Sequence, residues 1–352
     1  MTKVLAVTAM VALLCLIVGA QAAVCASYQI VDLGSADGYY STARAVNNAN
    51  RVVYDASGSI MLWQEEQTTN LGKMGGSAAS VSDIDNDGRL AGLRIYSGYS
   101  RAFSYFNGTR TDLGSFNANG SSSPSSINDA GQVVGFSYSS AAFQDHAFLY
   151  DPATGLRDIH ILGTSSYATG INNASWVTGN YYTDLVGREI HVFLWQNGAM
   201  TTIDGMHASS GINDLGMVIG STMPNSTDTH ASFWRNGLVT DIGTLGGTVG
   251  RSRATNGLGW IVGDSNTASG GGHGFLWRNG TMLDINSLID PASGWVVKSA
   301  IGVNDNGWIV GQGSLSGSNH AIVLIPVPEP SGMLALLSGA GGLCMFAFRR
   351  RK

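Results

Sequence analysis

Histidine is the first residue type whose spacing asks for a chemical explanation. Five of the seven histidines open a near-identical phrase: HAFLY from His146, HVFLW from His191, HASFW from His230, HGFLW from His273 and HAIVL from His320. Imidazoles could serve as metal ligands or general bases. One histidine per repeat, however, spreads these groups apart and does not gather them at one ion. Ser59 and Arg101 fill the same slot in two earlier copies, SIMLW and RAFSY. A packing or hydrogen-bonding role tolerates such swaps better than a catalytic one. A second suggestive stretch, Asp83-Ile84-Asp85-Asn86-Asp87-Gly88, matches the first half of a calcium loop, but Arg94 stands where the loop needs a bidentate Glu. There is no G-x-S-x-G elbow and no H-E-x-x-H. Residues 27–325 hold no cysteine, and their only glutamates are Glu65, Glu66 and Glu189. The expectation is no catalytic set, no metal and no cofactor.

These residues sit inside a repeat. One phrase, a small-residue stretch followed by an Asn or Asp turn and a short apolar strand, occurs seven times, anchored at Asn47, Asp85, Asn128, Asn172, Asn213, Asn256 and Asn304. The spacings are 38, 43, 44, 41, 43 and 48 residues. Each copy continues into the His-x-Phe-x-Trp phrase and then, in most units, a closing phrase: NLG at Asn70, DLG at Asp112, DIG at Asp241 or DIN at Asp284. Four strands, A to D, fit each unit. Asn-Gly at 107–108, 197–198, 236–237 and 279–280 is a strong signal for the C–D hairpin, because a type I′ turn needs positive φ at both central residues. Four strands in about 43 residues is the blade period of a β-propeller. The seventh unit lacks strand D, and Tyr28-Gln29-Ile30-Val31-Asp32-Leu33-Gly34 reads like one. The reading is all-β: a seven-bladed propeller over 27–325, closed by an N-terminal strand. A linear solenoid is the alternative, and it leaves the complementary ends unexplained.

The two ends read as targeting segments. Residues 1–26 carry Lys3, an apolar run from Val4 to Ala20 and small residues at Ala20-Gln21-Ala22, as in a signal peptide with a helical core; an N-terminal anchor is the alternative. Residues 326–352 hold Pro328-Glu329-Pro330, the apolar run Gly332 to Phe348, long enough for a transmembrane helix, and Arg349-Arg350-Arg351-Lys352. This order resembles the PEP-CTERM sorting signal of bacterial surface and matrix proteins. The resemblance implies a membrane protease of the exosortase type as partner, with Pro328, Glu329 and Pro330 as the recognised motif. It also implies transient membrane attachment and an exported product at the cell surface or in the extracellular matrix. The repeat phrases, with His146-Ala147-Phe148, resemble the HAF extracellular repeat family, which implies export and repetition but no chemistry.

Setting aside Lys3, Arg349, Arg350, Arg351, Lys352 and Glu329 leaves 14 basic and 23 acidic residues, a net charge near −9 that disfavours nucleic acid as a partner. The A–B and C–D turns are short and share one face. The B–C and D–A connections are longer, and they collect Tyr39, Tyr40, Tyr96, Tyr99, Phe116, Tyr138, Phe143, Tyr181, Tyr182, Arg251, Arg253 and Trp295. Tyr with Ser, Gly and Asn is a recognition composition. The functional expectation is a non-catalytic surface or matrix protein that binds polysaccharide or protein through this face. The alternatives are a carbohydrate-active enzyme on the same scaffold and a purely structural component.

Overall fold

The computed structural model describes residues 27–34, 41–117, 120–139, 144–160, 163–183 and 189–327. The two targeting segments, apart from Pro326 and Val327, and with them the Pro328-Glu329-Pro330 motif, lie outside them, as do Tyr39, Tyr40 and Phe143. No helix among the described residues is long and apolar enough to cross a membrane.

Seven four-stranded antiparallel sheets form a β-propeller. Blade 1 comprises Ser41–Val46, Val52–Ala56, Ser59–Gln64 and Gln67–Gly72, and each later blade repeats this order outward from strand A to strand D. Blade 7 is Trp295–Val303, Ile309–Leu315 and Ser318–Pro326, completed by Tyr28–Asp32. The N-terminal strand pairs from Tyr28 opposite Pro326 to Asp32 opposite Ile322. The ring therefore closes within one chain and leaves no open edge between first and last blades. A solenoid cannot pair its ends this way.

Each hairpin obeys its sequence. All four Asn-Gly pairs have positive φ at both residues, for example 51° at Asn236 and 84° at Gly237. Blade 1 makes the same turn with Glu65 and Glu66 at φ 50° and 61°. Left-handed backbone costs an ordinary L-residue roughly 1 kcal/mol. Replacing Glu65 by Asn and Glu66 by Gly should therefore raise stability by about 1 kcal/mol, read as a higher urea midpoint with an unchanged slope. The B–C connections are not uniformly long, contrary to expectation. In blades 1 and 7 they are the two-residue turns Ser57-Gly58 and Ser316-Gly317. The longest spacing, 48 residues, comes from two 3-10 turns, Ile285–Ser287 and Pro291–Ser293, inserted between blades 6 and 7.

The core lies between blades. Where most phrases carry Phe in strand C, six blades carry Gly directly opposite in strand B: Gly92 faces Phe103, Gly135 Phe148, Gly179 Phe193, Gly220 Ser232, Gly263 Phe275 and Gly311 Ile322. Blade 1 inverts the sizes, placing Tyr54 opposite Met61. Phe103, Phe148, Phe193 and Phe275 are fully buried. Opposite the same strand-B position, every strand A contains a β-bulge. In the four Gly–Phe blades the missing side chain admits both the phenyl ring and the bulged backbone, while blade 1 keeps the bulge with Tyr54 in the glycine's place.

Candidate functional site

The bulge places one extra residue per blade out of register, and a bulge re-aims its side chain. The seven are Arg44, Ser82, Ser125, Thr169, Ser210, Arg253 and Ile301. All seven line one axial cavity of about 300 Å³, together with the anchor residues of every A–B turn. This interior is the candidate site.

At its A–B mouth the anchors form a circle of hydrogen bonds interrupted once, after Asp85. The Asn47 side-chain amide donates to the Asp85 carbonyl at 2.8 Å, and Asn128, Asn172, Asn213, Asn256 and Asn304 repeat the contact with the next blade, the last reaching back to Asn47. Asp85 has no amide to donate. Its carboxylate instead accepts from the Arg89 N–H at 2.6 Å and from the Arg89 guanidinium at 3.2 Å. Asp83 accepts from the Ser126 hydroxyl and the Ile127 N–H of blade 3. Desolvation pushes its carboxyl up to about 6, against these hydrogen bonds. Asp83 and Asp85, two of the calcium-like carboxylates, are thus tied to their own turn and the neighbouring blade.

The histidines at the start of strand C serve the blades. His146, His230, His273 and His320 donate from Nδ1 to Asp158, Asp241, Asp284 and Asp32 at 2.7–2.9 Å. These aspartates belong to the closing phrase of strand D. Each also accepts the backbone N–H two residues on, which ends the strand in an Asx turn. The His320–Asp32 pair is the side-chain clasp between the chain ends. Blade 4 has Thr202 in the aspartate slot. There His191 stacks on Tyr181 at 5.0 Å, and the Tyr181 hydroxyl meets Thr202 at 2.8 Å.

The predicted recognition residues separate into two groups. Tyr181 is 6% exposed and belongs to the core, so its assignment to a binding face is corrected. Tyr182 is half-buried, edge-on to Tyr167 at 5.8 Å. Phe116 and Trp295 pack edge-on against His146 and His320. Tyr99 and Tyr138 are exposed. Tyr96 and Tyr99 stack at 4.8 Å, with the Arg94 and Arg101 guanidiniums over their rings at 5.1 and 5.2 Å. None of these tyrosines lines the axial cavities.

Arg253, Arg44 and Lys298 do. A second cavity of about 430 Å³ opens toward the B–C side between blades 6, 7 and 1, where Arg44, Arg253, Lys298, Gln312, Asn266 and Asp264 converge. Arg44 Nε donates to Asp55 at 2.8 Å and Arg253 Nε to Asp264 at 2.5 Å, while Arg251 stands 3.8 Å from Asp264. The sequence reading singled out Arg251 and Arg253 but missed Arg44, Lys298 and Gln312. Aligning the repeats on their anchors would have found Arg44, which precedes Asn47 by the same three residues that separate Arg253 from Asn256.

No protein-family model and no curated protein matches the chain. Among solved structures it is similar to a catalytically inactive virginiamycin B lyase from Staphylococcus aureus with quinupristin, at TM-score 0.57 and 10% identity, over 85% of this chain and 100% of that one. It is also similar to an acylaminoacyl peptidase from Pyrococcus horikoshii, at TM-score 0.52 and 11% identity, over 84% of this chain and 53% of that one. These likenesses define the chain as a β-propeller and carry no chemistry to it.

Proposed function

We propose that the chain is an exported, non-catalytic interaction protein of the cell surface or extracellular matrix, binding polysaccharide through the B–C side of its propeller. The observation that carries this reading is how the polar groups are distributed. The repeat-slot aspartates are engaged in blade-to-blade and strand-to-strand hydrogen bonds, whereas Tyr99, Tyr138, Arg44, Arg251 and Arg253 offer exposed surface to a ligand. A rigid ring with variable connections on one side is a common way to present recognition groups. In the same reading the segment 326–352 delivers the protein to a sorting protease of the exosortase type, which recognises Pro328, Glu329 and Pro330 while the tail holds the membrane.

A glycan-array screen of the purified protein tests this. Saturable binding is expected, and Tyr99→Ala and Tyr138→Ala should weaken it about fivefold or more, as stacking on sugar rings is lost. Tyr181 is no probe of the face, since its replacement would damage the core. Breakdown of any bound glycan during the assay would replace this reading with a carbohydrate-active enzyme. Absence of binding to every glycan would leave a structural role.

A further inference from the structure

We infer that the cavity between blades 6, 7 and 1 is a binding site for a carboxylate-bearing sugar, a uronate unit of an acidic polysaccharide. The inference rests on the polysaccharide-binding reading and narrows it to one site and one ligand class. Three cationic side chains, Arg44, Arg253 and Lys298, line this cavity, against Asp264 in the lining and Asp55 behind Arg44. This is a local excess of positive charge in a protein that is otherwise acidic.

The geometry is that of a preformed anion site. Arg44 and Arg253 are each held through Nε by an aspartate of the adjacent strand, Asp55 or Asp264. Among the described residues no protein group takes their terminal Nη atoms, and Lys298 has no ion pair. A guanidinium fixed at Nε and open at Nη presents its fork without further loss of side-chain freedom. The two arginines occupy the same bulge slot, where blades 2, 3 and 5 carry only Ser82, Ser125 and Ser210. The aspartates co-vary with them: Asp55 and Asp264 each follow the strand-B core position, where blades 4 and 7 have Asn180 and Gln312. The Arg–Asp couple is thus a unit added to two blades that flank blade 7, not a property of the repeat.

The rest of the lining sets the ligand class. Asn266, Ser299 and Gln312 supply amides and a hydroxyl. These groups match sugar hydroxyls, while the cations match a carboxylate. The single apolar lining residue, Ile301, offers little for a greasy ligand. The cationic sector is confined to three of seven blades, which suits one or two anionic units and not a long, densely charged strand.

Calorimetric titration of the purified full chain with trigalacturonate, and separately with neutral galactotriose, is the test. Trigalacturonate should bind at least about tenfold more tightly, and the preference should shrink as salt is raised. Arg44→Ser and Arg253→Ser should each weaken trigalacturonate binding about tenfold, and Lys298→Gln by less. Serine already serves this slot in three blades, so an unchanged urea midpoint is expected. The paired Arg253→Ser/Asp264→Asn variant should lose as much binding as Arg253→Ser, which excludes an effect of the stranded carboxylate. Equal binding of the acidic and neutral sugars, or full binding by the arginine variants, would overturn this site while leaving the polysaccharide reading intact. A stronger response to inorganic sulfate or phosphate than to trigalacturonate would overturn the carboxylate assignment. If galactotriose and every arrayed glycan also fail to bind, the broader reading falls with it.

Discussion

Removal of residues 28–34 should abolish the cooperative fold of the whole ring. The strand Tyr28–Asp32 is the outer strand of blade 7, and it adds to the direct blade 7–blade 1 contacts, among them the Asn304–Asn47 bond, that close the circle. Tyr28 is 3% exposed in the core between blades 6 and 7, with Ile30 packed beside it, and Val31 and Leu33 pack on the other side against the core shared with blade 1. Burying four such side chains contributes roughly 5–8 kcal/mol. That is comparable to the entire stability of an ordinary domain, about 5–15 kcal/mol. The truncation also leaves the main chain of Ser318–Pro326 as an exposed apolar edge and strands His320 without Asp32. The expected result is a protein that aggregates or shows no sigmoidal urea transition by circular dichroism. Adding a synthetic peptide of residues 27–34 should partly restore the transition, because it supplies the edge partner of Ser318–Pro326 and the side chains that pack against blades 6 and 1. A truncated chain that melts with the wild-type midpoint would mean that the ring does not depend on its closure.

Much of this architecture was legible because the chain states it seven times. Asn-Gly at a hairpin, a short apolar strand B after the Asn or Asp turn and a strand-D phrase displaced to the N-terminus are local signals, and each retains its meaning in the folded ring. The site was less legible because it arises from a departure from regular pairing. A bulge shifts which residue faces the axis, so Arg44 reads as an ordinary strand position, and Arg253 as a residue of a long connection, until the register is known. Tyr181 was misplaced for a related reason. Taken as a loop residue after Gly179, it is in fact two residues further along the same strand and so faces the same way. The equivalent positions two residues past the other strand-B core positions, Ala56, Arg94, Ser137 and Ser265, are buried as well. Tyr138 and Tyr182, one residue further, fall on the opposite side. The histidines were read as structural, but their aspartate partners were hidden, since strand C and strand D contact one another only after the hairpin folds.

The strand-B glycines test whether the bulge and the ring contact are one device. A Cβ on Gly263 would lie 1.9 Å from the Arg251 carbonyl oxygen and 2.7 and 2.9 Å from the Phe275 ring. The first contact is with backbone and cannot be relieved by a rotamer change. Gly263→Ala should therefore cost about 3 kcal/mol or more, beyond the usual range for one added methyl group, and appear as a large fall in the urea midpoint. Trimming the ring should not rescue it. In the double variant Gly263→Ala/Phe275→Ala the carbonyl clash persists, and the loss of a fully buried phenyl adds about 3 kcal/mol of its own. Gly211→Ala is the control: its nearest neighbour would be Ile219 at 3.8 Å, an ordinary contact, and the change should cost less than about 1 kcal/mol. Moving the Arg251 carbonyl also moves the bulge that carries Arg253, so any Gly263→Ala protein that remains folded should bind trigalacturonate more weakly than wild type. A near-neutral Gly263→Ala would mean that strand A can slide past the glycine, and that the bulge does not fix the direction of Arg253.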